Sequence, residues 1–223
     1  MIFLLTPRLN LIINQVQGNS VADIGTDHGF VPIELVKSGK CTKAIATDIN
    51  KGPAAIAKAN IKKEGLSIDV RVGGGLSTLQ KGEVEEIIIA GMGGKLISDI
   101  LSAHMDIAKS ARLILQPMNG QYELRKFLIE NNFTIEEEDI AIEGFKVYNV
   151  LIVKNGEQAP FEKDIYYHLP KYLFGHKNYK KLFEKKKREF TKVVSGLENS
   201  KDCDFEKLNL YKSWLKAIEE CKL

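Results

Sequence analysis

The sequence predicts an α/β protein: a mostly parallel sheet covered on both faces, followed by a C-terminal helical hairpin. Three observations carry this expectation. From Ser20 to about Lys154, short apolar runs bounded by turn residues alternate with longer amphipathic stretches, and strand–helix alternation of that kind places helices on both faces of a parallel sheet. Near residue 131 the alternation stops and two strand-like runs follow one another. Beyond Gly156-Glu-Gln-Ala-Pro160 the composition shifts to lysine, glutamate and aromatics at helical spacing.

The elements follow in order. Strands are expected at Val21–Ile24, Ala44–Thr47, Ile68–Val72, Ile87–Ala90 and Leu113–Leu115, with helices near 31–38, 52–64, 94–104 and 121–131 between them. Thr134–Ile142 and Phe145–Val153, joined by a turn at Glu143-Gly144, complete seven strands with the last one antiparallel. In the tail, Tyr179, Phe183, Phe190, Val193 and Leu197, and then Leu208, Tyr211, Leu215 and Ile218, recur at heptad-like spacing on either side of the polar break 199–204. Two antiparallel helices are expected, the first about 20 residues and roughly 30 Å long. The division is therefore a domain over 1–160 and a helical coiled-coil domain over 161–223.

The chain has 223 residues, 44% of them apolar and 27% charged, the balance of a soluble globular protein. The opening run Met1–Leu5 is far shorter than the roughly 18 to 20 residues of a membrane span, and no secretion signal is visible. Three cysteines and four histidines lack C-x-x-C or H-x-x-x-H spacing, so no metal is expected and a reducing cytoplasm is the simple location. Net charge is −3 over residues 1–162 and +6 over 163–223. A basic tail suggests a polyanionic partner, with a merely solvated helix face as the alternative.

The chemistry concentrates in Val21-Ala-Asp23-Ile-Gly25-Thr-Asp27-His28-Gly29, a glycine turn between the first strand and a helix. Open α/β sheets bind nucleotides there. In a dinucleotide site the central glycine admits a pyrophosphate. Here that place is taken by Asp27, whose carboxylate repels a phosphate, so NAD is disfavoured. S-adenosylmethionine instead carries a sulfonium and an ammonium, which Asp23 and Asp27 attract; the alternative is that both aspartates only shape the turn and cap the helix. Asp48 stands 23 residues after Gly25 at the end of the second strand, where an acidic side chain accepts from both ribose hydroxyls. Gly73-Gly-Gly75-Leu76 and Ala90-Gly-Met92-Gly-Gly94 follow the third and fourth strands, and allow either close approach of a ligand or tight turns. Met92 and Gly93 border the acceptor side of such a cleft, and Gln116-Pro-Met-Asn119 offers amides on the same rim.

These same residues resemble the bacterial tRNA (adenine-22-N1)-methyltransferase family, TrmK: Asp23-Ile-Gly-Thr-Asp-His28, Asp48 with Gly52-Pro53, Ala90-Gly-Met-Gly-Gly94, Gln116-Pro117 followed by Leu124-Arg125, and Arg8-Leu9 near the start. The likeness covers most of residues 6–153. It implies a class I, Rossmann-like methyltransferase domain joined to a C-terminal coiled coil, with S-adenosylmethionine as cofactor and N1 of an adenine in the tRNA D-arm as target. It implies cofactor contacts from Arg8, Asp23, Gly25, Asp27, His28, Asp48, Ile49, Gly74, Gly75, Leu76, Ala90 and Gly91. Substrate contacts are expected from Met92, Gly93, Gln116, Tyr148, Lys180, Lys181, Lys187 and Arg188. The chain departs from the family at Gly74, where Asp or Asn is usual, at Met118 after Gln-Pro, and at Phe145-Lys-Val-Tyr-Asn149, where the hairpin usually reads Gly-Lys-aromatic-Tyr-Glu. The Asp/Asn-Pro-Pro-aromatic run of adenine-N6 methyltransferases is absent.

The expected mechanism is direct: the in-plane lone pair of adenine N1 attacks the sulfonium methyl, and the protein's task is positioning. N1 lies on the Watson–Crick edge, so the base must be unpaired or extruded. Asp27 is the candidate catalytic carboxylate, stabilising the methylated adenine or accepting an N6 proton, or else holding the cofactor's ammonium. Tyr148 and Met92 either stack on the base or belong to the core; Arg8 binds a phosphate, the cofactor carboxylate, or neither. The basic cluster from Lys177 to Arg188 either grips tRNA or faces solvent on a packing or dimerising hairpin, and a monomer is expected over a dimer. Competing readings are a methyltransferase for another RNA base or a small molecule, and a non-catalytic RNA-binding protein.

Overall fold

The run Ile87-Ile88-Ile89 is almost wholly shielded from solvent, as a strand covered on both faces requires. It forms the centre of β4 (Glu86–Met92), beside β1 (Ser20–Ile24) in a seven-stranded sheet of order β3-β2-β1-β4-β5-β7-β6. The computed structural model describes residues 5–222; the opening run before Leu5 lies outside them. β2 (Lys43–Asp48), β3 (Asp69–Val72) and β5 (Arg112–Pro117) pair in parallel with their neighbours, and β7 (Lys146–Asn155) lies antiparallel between β5 and β6 (Phe133–Glu143). The chain winds outward from β1 to β3 and returns to the other side of β1 as β4. That reversal opens a crevice at the carboxyl ends of β1 and β4.

Helices fill both faces. α2 (Phe30–Lys37) and α3 (Lys51–Lys63) follow β1 and β2, while α4 (Gly94–Ala103), the one-turn α5 (Met105–Ala108) and α6 (Gln121–Glu130) follow β4 and β5. One core joins Ile24, Ile87, Ile97, Leu101, Leu124 and Phe133; the opposite one joins Ile12, Val21, Val31, Leu35 and Ile88. The second contains an element the strand–helix alternation did not include, α1 (Pro7–Gln15). Thr6-Pro7, which in the sequence only closes an apolar run, starts it: the Thr6 side chain accepts from the Leu9 amide and Pro7 occupies the first turn.

Two short turns of 3-10 helix, Asp164–Tyr167 and Lys171–Leu173, lead to α7 (Tyr179–Glu198) and α8 (Phe205–Ala217), with the expected polar break between them. Lys212 pairs with Glu198 at 2.7 Å and Lys187 with Glu219, so the helices run antiparallel. Tyr179, Phe183 and Phe190 are buried as the spacing predicts, whereas Leu182 and Val194 point further inward than Val193 and Leu197. The inward face does not serve the partner helix alone: Tyr179, Phe183, Phe190, Trp214 and Ile218 share one cluster with Ile140 of β6 and Val147 of β7. A network around the buried Arg125, Glu138 and Asn149 ties the same junction, with Arg125 of α6 donating to Glu138 (3.1 Å from Nε) and to the Tyr167 carbonyl (2.5 Å), and Asn149 and the partly exposed Tyr172 donating to Glu138 at 2.6 and 2.9 Å.

Candidate functional site

The crevice is shaped by its turns. After β1, Gly25 takes φ +75°, and the amides of Gly25 and Thr26 both donate to the Thr47 carbonyl at 2.8 Å, folding the loop over the end of β2. A Cβ on Gly25 would stand 2.3 Å from Met92 Cε. Between this loop, the ends of β2, β3 and β4 and the flank of α4 lies a cavity of about 550 Å³. Gly25, Asp48, Ile49, Gly74, Gly75, Leu76, Ala90 and Gly91 line it, as does Met92, expected on the acceptor side.

Two buried carboxylates lie toward the ends of β1 and β2, Asp48 in the cavity lining and Asp23 outside it. Asp23, at 5% exposure, has no ion-pair partner among the described residues, and burial, opposed by the Thr26 side chain and, more weakly, by Arg8, and supplemented by the charge of Asp48, raises its pKa to about 6. Asp48 is buried too, and its own turn holds it: Oδ1 accepts from the Asn50 amide at 2.8 Å and Oδ2 from the Asp27 amide at 3.4 Å. Buried acids without cations stand in want of a positive ligand. The rim adds an apolar surface, Ile49 and Leu96, both more than half exposed, and Gly74, where a Cβ would reach only Ile49 Cδ1 at 3.6 Å. This donor set suits S-adenosylmethionine, whose cationic groups the acids would hold and whose adenine the aliphatic rim would cover; a lining without Lys or Arg does not suit a diphosphate.

Arg8, Asp23, Asp27 and His28 do not line the cavity itself. Asp27 holds φ +52° and its side chain is two-thirds exposed, 2.9 Å from His28 Nδ1; the His28 ring stacks on Phe30. Gly29 follows at φ +75° and caps α2, lying 3.3 Å, by its would-be Cβ, from Ala57 of α3. The loop thus presents the Asp27 carboxylate to solvent, while Asp23 of β1 and Asp48 of β2 stay buried.

On the other side of the crevice, Arg8 Nη1 donates to Gln116 Oε1 at 2.8 Å, which also accepts from the Gly91 amide at 3.1 Å. Arg8 lies over the Tyr148 ring, 5.6 Å from its centroid, and its amide donates to Glu143 at 2.9 Å. Tyr148 is buried and outside the cavity lining, so its ring is not an open stacking surface here. Gly93 and Gly94 meet the loop before α6: the Gly94 amide donates to Asn119 O at 2.9 Å, and a Cβ on Gly94 would stand 2.2 Å from Gly120 O. This half of the Ala-Gly-Met-Gly-Gly motif is spacing for two helix starts.

Sequence reasoning missed the α4 wall, Leu96, Asp99, Ile100, Ala103 and His104, together with Asn50. Leu96 beside the buried Ile97 is the available signal, an apolar residue off the inward stripe. Lys180, Lys181, Lys187 and Arg188 sit exposed on α7, outside the cavity; Lys187 is paired with Glu219. Among the described residues no group of three or more His, Cys, Asp or Glu is placed to hold a metal, and no helix is long and apolar enough to cross a membrane.

Comparison with known proteins accords with this geometry. A family model described as a methyltransferase domain matches residues 5–151. The tRNA (adenine(22)-N(1))-methyltransferase of Bacillus subtilis is 39% identical over 158 residues, 69% of this chain and 66% of that protein, just under two thirds of its length. The crystal structure of the B. subtilis m1A22 tRNA methyltransferase TrmK superposes with a TM-score of 0.87 at 29% identity, covering 97% of this chain and 98% of that one. Streptococcus pneumoniae Sp1610, solved in complex with S-adenosyl-L-methionine, superposes with a TM-score of 0.82 at 31% identity over 98% and 99% of the two chains. With its methyltransferase sheet, acid-floored cleft and C-terminal helices, the chain belongs to the tRNA (adenine-22-N1)-methyltransferase family.

Proposed function

We propose that this protein methylates N1 of adenine 22 in the D-arm of tRNA, using S-adenosylmethionine. The observation that carries the chemistry is the buried carboxylate of Asp23, without an ion-pair partner among the described residues, beside Asp48; membership of the family supports the substrate. When bound, S-adenosylmethionine supplies an electrophilic methyl group on a sulfonium. Asp23 would face its positive charge, Asp48 would accept from its ribose hydroxyls, and Ile49, Gly74, Gly75 and Leu76 would line the slot for its adenine. Arg8, Gln116 and the Gly91 amide hold the acceptor rim rigid, which matters because catalysis here consists of alignment. Asp27, exposed at the mouth of the loop, is the carboxylate available to face the methylated adenine or take its N6 proton, with His28 fixing its orientation. Lys180, Lys181 and Arg188 attract the phosphate backbone.

Incubation with labelled S-adenosylmethionine and unmodified tRNA, followed by nucleoside analysis, tests the reading. The expected product is 1-methyladenosine in the D-arm. Absence of label in tRNA, or calorimetric binding of a dinucleotide in place of the methyl donor, overturns it.

A further inference from the structure

The hairpin between β6 and β7 ends in a two-residue turn, Gly144-Phe145, closed by the pair Glu143↔Lys146. Gly144 takes φ +56°, as the first central residue of a II′ turn does, and polar residues are the usual occupants of the second. Here the second is Phe145, at 103% relative exposure: the described residues leave the ring uncovered. Isolated exposed apolar residues are ordinary, but the surroundings of this one are not.

The tip lies on the methyl-acceptor rim. Leu115 of β5 is opposite Leu151 of β7, so β7 runs on beyond the end of β5 and its turn stands roughly 13 Å past that edge, at about 3.3 Å per residue. Glu143 accepts from the Arg8 amide, Arg8 holds Gln116, and Gln116 holds Gly91 of the cavity wall. From the other side Lys185 of α7 donates to the Val147 carbonyl at 3.1 Å, which brings the basic helix against the same hairpin. Lys146, beside the ring, is exposed as well. A rigid tip thus carries a bare aromatic face and positive charge between the cleft and the basic helix, the combination that binds single-stranded nucleic acid by stacking.

We propose that Phe145 stacks on an unpaired nucleobase of the tRNA next to the adenosine being methylated, holding the strand open while that adenosine occupies the cleft. This rests on the function proposed above. The extruded target leaves a neighbour unstacked, and the ring provides it with a partner.

The test compares wild type with Phe145→Ala and Phe145→Trp, using full-length protein and unmodified tRNA, and tRNA bearing 2-aminopurine at a nucleotide flanking the target. Phe145→Ala is expected to raise the KM for tRNA about tenfold and to abolish quenching of the 2-aminopurine, with cofactor affinity within twofold and the thermal midpoint unchanged, since no protein contact is removed. Phe145→Trp is expected to restore both signals. Wild-type KM and quenching in Phe145→Ala overturn the inference alone, and so does a loss of self-association in that variant, which assigns the ring to a second copy of the chain. A wild-type protein that leaves tRNA unmethylated overturns the parent function, and this inference with it.

Discussion

Arg8 of α1 and Gln116 of β5, 108 residues apart in sequence, meet at the acceptor rim: the guanidinium donates to the amide oxygen at 2.8 Å, and that oxygen also takes the Gly91 N–H at 3.1 Å. One side-chain atom thereby couples the first helix to the wall of the cleft. Gln116→Ala leaves both donors without their acceptor. We expect kcat/KM for tRNA to fall about tenfold, equivalent to ~1.4 kcal/mol of barrier, with a smaller change in cofactor affinity; steady-state kinetics at wild-type level would show the coupling to be idle.

Asp23 sets stability against function. Its folded pKa of about 6 lies above the unfolded carboxylate value, so the folded state holds the extra proton and the resulting stabilisation is lost as pH rises through about 6. Above that pH the ionised acid costs on the order of 2–3 kcal/mol. Cofactor-free Asp23→Asn is therefore expected to melt higher than wild type at pH 8, the advantage shrinking between pH 6 and 4, while binding the methyl donor at least tenfold more weakly. Calorimetry and melting curves across that range check both halves.

Two glycines separate folding from binding. A Cβ at Gly94 meets main-chain Gly120 O at 2.2 Å, whereas one at Gly74 meets only Ile49 Cδ1 at 3.6 Å. Gly94→Ala is expected to lose about 3 kcal/mol, the upper range for overpacking, seen as a lower denaturant midpoint. Gly74→Ala is expected to keep the wild-type midpoint and to lose cofactor affinity about tenfold, because its methyl would enter the cavity where the adenine is proposed to lie.

His168 lies buried among Tyr122, Phe190 and Trp214, with ring centroids at 4.4, 4.8 and 4.3 Å, and neither ring nitrogen has a hydrogen-bond partner among the described residues. Burial, aided by Lys186 and Arg125, pushes its pKa to about 3. The unfolded chain binds the proton first, so stability present above about pH 6.5 falls as pH drops toward 3, by up to ~1.4 kcal/mol per unit. His168→Phe removes that loss. Its gain over wild type is expected to widen from pH 7 to pH 5; a constant difference would contradict the assignment.

Lys180, Lys181 and Arg188 are exposed on α7, and no ion pair holds them among the described residues. Replacing all three with alanine is expected to weaken tRNA binding and to reduce the slope of log affinity against log salt by about 1 to 3, leaving cofactor affinity untouched. Filter binding between 50 and 200 mM salt, a range over which such contacts separate, measures the slope.

Much of the cleft was legible because its residues are local to strand ends. Gly25, Asp48, Ile49 and Gly73-Gly-Gly75 follow apolar runs directly, and a turn after a parallel strand has one rim to occupy. The acids reveal their ligand's charge without coordinates. What was not legible depends on long-range meetings. The α4 wall looks like an ordinary amphipathic surface until the fold turns Leu96 and Ile100 toward Ile49, and Tyr148 reads equally as a stacking ring until β7 is buried under α1 and α7.

The amino-acid order alone determined the alternating sheet, the antiparallel last strand, the acidic glycine turn after the first strand and the basic tail, since each is written in neighbouring residues by periodicity, turn chemistry and charge. Tertiary structure decided which acids are deprived of water, that Arg8 serves Gln116, that Arg125 and Glu138 pair inside the junction, and that Phe145 stands bare at the rim. Burial and hydrogen-bond partnership are properties of segments brought together across the chain, and no local pattern encodes which distant partner arrives.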